Sequence, residues 1–136
     1  MTTLTGSAVD IAIVCSDFDA SLHFYRDLLG LEVHQEVEIP ADLAGALGLA
    51  PRGFRQVRLK AGHTLIKLMD IDDPPGPVPE TFAAGVRWIT FFVDDVPAVY
   101  AHWKSLGVPF LSELPESGNI VCARDPNGVI VELIQS

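Results

Sequence analysis

The stretch "DIAIVCSDFDASLHFYRD", residues 10–27, returns 78 positions further on as "WITFFVDDVPAVYAHWKS", residues 88–105. The recurrence places Ile11 on Ile89, Asp17 on Asp95, Ala20 on Ala98, Tyr25 on Trp103 and Arg26 on Lys104, and after one deletion Leu29-Gly30 falls on Leu106-Gly107. The end of each copy repeats as well: "HTLIKLMD", 63–70, superposes on "GVIVELIQ", 128–135, at an offset of 65, apolar on apolar at most positions. Self-similarity of this kind makes each copy one supersecondary unit, and it has to be recognised before elements are assigned.

Both copies read in the same order. An apolar strand, 9–15 or 87–93, runs into Ser16-Asp17 or Asp94-Asp95, whose carboxylates can accept from the free N–H groups that open a helix. In the first copy Phe18, Leu22, Tyr25 and Leu29 recur at three- and four-residue steps, which predicts a helix closed by Gly30 in the left-handed conformation. Strands follow at "LEVHQEVEI" (31–39), "FRQVRLK" (54–60) and "TLIKLMDI" (64–71), matched in the second copy by "VPFLSEL" (108–114), "NIVCAR" (119–124) and "VIVELIQ" (129–135). The reading is an α+β chain of two βαβββ modules in one domain, 1–136: module one over 8–71, a linker over 72–85 and module two over 86–136. Within module one, "PADLAGALGLAPRG" (40–53) predicts a short inserted helix or flap. The four prolines of "DDPPGPVPETFAAG" (72–85) forbid regular structure there.

Composition narrows the function. A chain of 136 residues with 49% hydrophobic content can bury one core. Eighteen acidic against nine basic residues give a net charge of −9, and no basic stripe exists, which argues against nucleic acid and anionic membrane surfaces as partners. The start "MTTLTGSAVD" lacks the pattern of a signal peptide, and no apolar run approaches the ~18 residues of a membrane span, so the expected location is cytoplasmic. Cys15 and Cys122 sit in apolar strand patterns without C-x-x-C spacing and read as buried thiols.

One charge stands out in the last strand. After the turn Pro126-Asn127-Gly128, alternation puts Ile130, Glu132 and Ile134 on one face and Val129, Val131 and Leu133 on the other. A carboxylate buried among such residues costs several kcal/mol unless it is paired, so Glu132 must face a polar cavity, a partner or an exposed edge.

The repeated module, with "FYRDLLGLEV" (24–33), "FFVDDV" (91–96) and "DPNGVIVELIQ" (125–135) at matching spacing, resembles the vicinal oxygen chelate superfamily of glyoxalases, bleomycin-resistance proteins, extradiol dioxygenases and methylmalonyl-CoA epimerases. The resemblance covers nearly the whole chain. It implies a cupped mixed sheet around one pocket, a small-molecule ligand or substrate, a homodimer, and a divalent metal held by His and Glu side chains of the first and last strands. Those positions fall on Asp10, Lys67, Trp88 and Glu132, and the repeat pairs the same four, Asp10 with Trp88 and Lys67 with Glu132. Lys67 has no lone pair to offer as an ammonium, and Trp88 has only an N–H donor. Two carboxylates are too few for zinc or iron. His63 shares the parity of Lys67 but lies about 13 Å away along a strand, at ~3.3 Å per residue. His34 is on another strand, and His23 and His102 are on helices. The expectation is therefore no metal and no cofactor.

Two functions fit such a pocket. In the first, Lys67 replaces the charge of the missing metal and stabilises developing negative charge, while Glu132 or Asp10 moves a proton. The result is a metal-independent lyase or isomerase, performing proton transfer, isomerisation, elimination or cyclisation on a carbonyl-containing, planar or polycyclic compound. A Schiff base on Lys67 ranks behind this. In the second, Trp88, Thr90 and Phe92 form a stacking face, and the protein sequesters an aromatic metabolite or antibiotic without chemistry. The charged trio favours the enzyme, because sequestration gains little from burying two carboxylates and a lysine. The same residues would also suit a structural ion pair, and Trp88 ordinary core packing.

Overall fold

Asp17 and Asp95 open the two helices that the repeat predicts. Each carboxylate accepts from the backbone three residues on, Ala20 N–H at 3.1 Å and Ala98 N–H at 3.0 Å. The computed structural model describes all residues from Met1 to Ser136. The fold class is α+β, and the chain divides into two compact units, Met1–Gly76 and Pro77–Ser136.

In the first unit, β1 (Ile11–Val14), α1 (Phe18–Leu22), β2 (Glu32–Ile39), α2 (Ala41–Ala46), β3 (Phe54–Ala61) and β4 (Thr64–Asp70) follow in order. The strands form one mixed sheet, β1-β4-β3-β2, with β1 parallel to β4 and the remaining pairs antiparallel. Alternation sorts the faces. Ile13, Val57, Leu59, Ile66 and Leu68 are buried on the side where α1 packs against β4. Each such side chain contributes about 1.5–3 kcal/mol by leaving water. The opposite face carries Ala12, Lys67 and Arg58 in register.

The helix differs from the regular one predicted by its periodicity. Beyond Leu22 it widens into a π-helical segment, His23–Leu28, in which Leu29 N–H donates to Phe24 O at 3.0 Å. Consecutive side chains diverge by about 100° on an α-helix of 3.6 residues per turn. The wider turn narrows that angle between Phe24 and Tyr25, both buried and packed edge to face with centroids 5.0 Å apart. Gly30, at φ +75°, ends the segment. In the insert, α2 sets Ala44 against Phe54, Met69 and Ile71.

The second unit contains β5 (Trp88–Val93), α3 (Val96–Ser105), β6 (Ile120–Arg124) and β7 (Ile130–Gln135), with sheet order β5-β7-β6 and β5 parallel to β7. The strand expected over 108–114 is reduced to a single bridge, Phe110 opposite Ala123. The Pro109 carbonyl accepts from Arg124 N–H at 2.9 Å, but Pro109 has no N–H to return the bond, so the ladder stops at that end of β6. The linker has no helix or strand, and its second half lies on this unit: Val78 N–H donates to Asn127 O at 2.8 Å, and Arg124 pairs with Glu80 at 3.6 Å. The turn beneath it is built by Asp125, whose Oδ1 accepts from Asn127 N–H and Val129 N–H, both at 2.8 Å. Gly128 is required there. Its φ is +82°, and a Cβ would stand 2.8 Å from Val78 O.

No helix is long and apolar enough to cross a membrane. Cys15 is buried as expected, whereas Cys122 is only partly so, because it sits on the face of β6 opposite Glu132.

Candidate functional site

In the first unit the site begins where β1 begins. Asp10 precedes the first ladder pair, and its Oδ1 accepts from Leu65 N–H at 3.0 Å, occupying a backbone donor at the edge of the β1–β4 pairing. Its Oδ2 lies 3.3 Å from Lys67 Nζ, with the two side chains 37% and 25% exposed. The Leu65 N–H is the main reason the Asp10 carboxyl is held below its ordinary range; Lys67 and then Arg58 add to the effect against partial desolvation.

Arg58 stands directly opposite Lys67 on the antiparallel β3–β4 pair. Its Nε donates to Gln56 Oε1 at 2.6 Å and its Nη1 to Gln35 Oε1 at 3.3 Å, so its partners are amide oxygens. No carboxylate lies within ion-pair distance of it. The sequence reading overlooked Arg58, Gln56 and Gln35, although the clue was present. The two-residue loop Gly62-His63, with Gly62 at φ +62°, pairs Ala61 with Thr64, and three steps back along that hairpin bring Arg58 opposite Lys67.

In the second unit, Thr90 is opposite Glu132 on the parallel β5–β7 pair. Trp88 Nε1–H donates to Thr90 Oγ1 at 3.1 Å, and the Thr90 hydroxyl donates to Glu132 Oε1 at 2.7 Å. Glu132 is half-buried and satisfied by this hydroxyl. Across β6, the Cys122 thiol is pushed up by burial and, to a lesser degree, by the Glu132 charge, which favours the protonated thiol. Trp88 and Phe92 are 53% and 68% exposed, so neither is a core residue. Phe92 lies on the face of Trp88 and Thr90 by alternation.

Of the six residues proposed from sequence, Asp10 and Lys67 are thus joined in the first unit, and Trp88, Thr90 and Glu132 in the second; Phe92 shares their face without joining the hydrogen-bonded chain. The donor set does not fit a divalent metal of the kind the resemblance implies. No group of three or more His, Cys, Asp or Glu side chains converges, Trp88 offers no lone pair, and the Lys67 ammonium already pairs with Asp10.

Two mixed sheets, each with a parallel pair of first and last strands and a helix following the first strand, define a glyoxalase-type fold. The chain belongs to the Glyoxalase/Bleomycin resistance protein/Dioxygenase superfamily, whose family model matches residues 8–133. The uncharacterized protein YaeR of Escherichia coli (strain K12) is 33% identical over 135 residues, covering 92% of each chain. Among solved structures, the trypanothione-dependent glyoxalase I of Leishmania major is 25% identical with a TM-score of 0.72, covering 93% of this chain and 84% of that one. A glyoxalase family protein from Bacillus cereus, 18% identical, shares the fold with a TM-score of 0.79 over 98% of this chain and 95% of its own.

Proposed function

We propose that this protein is a metal-independent enzyme that moves a proton on a small carbonyl-containing compound, in an isomerisation, elimination or cyclisation. The observation that carries the reading is the Lys67 ammonium, held 3.3 Å from Asp10 at a position where the superfamily resemblance implies a metal ligand. A fixed ammonium aimed at a substrate oxygen stabilises charge that develops there, and does so best where water is scarce. Glu132 is the proton acceptor, and the Thr90 hydroxyl holds one of its oxygens while leaving the other to act. Trp88 and Phe92 supply the apolar contact for a planar substrate. We read the protein as a cytoplasmic homodimer, the dimer being what the superfamily resemblance implies. A solution mass near the 14.7 kDa of one chain at micromolar concentration would rule the dimer out.

The test needs no known substrate. A panel of carbonyl compounds with an enolisable C–H is incubated with the protein in D2O, and loss of that proton signal is followed by NMR. Exchange above the buffer rate with at least one compound, abolished in Glu132→Gln, supports the enzyme. The exposure of Trp88 and Phe92 favours a second reading, non-catalytic capture of an aromatic metabolite or antibiotic. Binding of a panel compound without exchange would favour it.

A further inference from the structure

We propose that Arg58 is a receptor for a carboxylate on the substrate, placed beside the carbonyl oxygen that Lys67 engages, so that the substrate class is a 2-oxo acid or a close relative. The proposal deepens the reading given above and rests on it for the role of Lys67.

Three observations support it. First, Arg58 and Lys67 oppose each other on adjacent antiparallel strands. Side chains so placed have Cβ atoms about 4.5–5.5 Å apart, and like charges there are destabilising unless something sits between them. Second, only Lys67 has an acidic partner. Arg58 is half-buried, held at Nε and Nη1 by Gln56 and Gln35, while Nη2 has no protein partner. Two amide oxygens fix the direction of the guanidinium without neutralising it, which suits a planar anion that can accept from its free edge. Third, Lys60 and Glu32 oppose each other further along this face and cancel, so Arg58, Lys67 and the Asp10 carboxylate leave it one net positive charge in a chain whose total is −9. A monoanion neutralises it, whereas a phosphate dianion would overshoot beside Asp10. A 2-oxo acid carries its carboxylate and its carbonyl oxygen on neighbouring carbons, so an Arg and a Lys at facing positions of adjacent strands can each serve one of them.

The experiment titrates the protein, labelled with ¹⁵N, with pyruvate and with its neutral amide, pyruvamide, following the Arg58 Nε–H and the amides of Leu65 and Lys67. Pyruvate is expected to shift these resonances and to bind at least tenfold more tightly than pyruvamide. Arg58→Gln should remove that preference, weakening pyruvate at least tenfold and pyruvamide far less. Asp10→Asn, which deletes the competing carboxylate, should tighten pyruvate binding several-fold; this opposite sign keeps the proposal testable should Arg58→Gln fold poorly. Equal affinities for the two compounds, tighter binding of inorganic phosphate than of pyruvate, or shifts confined to other residues would each overturn it. These binding outcomes are separable from the proton-exchange assay. Pyruvate binding without exchange in any compound discards the enzyme and keeps the carboxylate site, and exchange without a carboxylate preference does the reverse.

Discussion

Thr90 and Glu132 face each other across a parallel strand pair, and the threonine hydroxyl gives its one proton to the carboxylate at 2.7 Å. Because the same oxygen takes the Trp88 N–H at 3.1 Å, donor directions along this chain are fixed from Trp88 to Thr90 to Glu132. Thr90→Val keeps the shape and removes the link. A part-buried hydrogen bond to a charged group should be worth about 1–2 kcal/mol here, with water replacing some of it. Urea unfolding is expected to show that loss for Thr90→Val and most of it recovered in Thr90→Ser.

Kinetic variants separate chemistry from capture once a substrate is in hand. Lys67→Met should lower kcat by about 10²–10³, as removal of one preorganised donor does, and Glu132→Gln by roughly 10²–10⁴. Trp88→Ala should act mainly on KM. In a capture protein the order is reversed: Trp88→Ala abolishes affinity, and the two charge variants change it by less than about 1 kcal/mol.

The depressed Asp10 carboxyl makes a prediction about acid stability. A carboxyl whose folded value lies below its unfolded one, about 3.9, stabilises the protein fully above the unfolded value. That share is lost as pH falls through the folded value. Asp10→Asn should therefore be less stable than the parent by a constant margin from pH 5 to 8, with the margin shrinking below about pH 4. Asp27, drawn down to about 2 by Arg26 and then His23, titrates in the same acid range but is present in both proteins and cancels in the comparison. Denaturant midpoints at pH 7, 5 and 3 measure the margin.

Metal analysis checks the charge-replacement idea directly. Protein purified without chelators should carry far less than one equivalent of zinc, iron, nickel or manganese, and excess EDTA should leave Tm unchanged. About one equivalent per chain, with a Tm that falls on chelation, would return Asp10 and Glu132 to the role of ligands.

Much of this architecture can be read directly from the chain. The caps Asp17 and Asp95, the turn at Asp125-Pro126-Asn127-Gly128 and the parity of Lys67 and Glu132 all follow from chemistry within a few residues. The segment 108–114 shows where such reading fails: its apolar alternation suits a strand, but it makes one bridge, and Pro109 has no N–H to return the bond it takes from Arg124. The π-helical turn at His23–Leu28 was hidden for a related reason, since a 3.6-residue period and a slightly wider one place Phe18, Leu22 and Tyr25 on nearly the same face.

By itself the sequence determined which residues could do chemistry and which face of its own strand each occupies, because side-chain alternation is a property of the local backbone. Partnership was decided only in three dimensions. Asp10 accepts from Leu65 across 55 residues of chain, and Thr90 donates to Glu132 across 42. Such pairs depend on the register between distant strands, which is set by the summed packing of a whole sheet and which a slip of one residue would invert. Arg58 lies between these cases. A two-residue hairpin loop determines its place opposite Lys67, yet its guanidinium is free of any carboxylate only because the folded sheet brings it two glutamines instead.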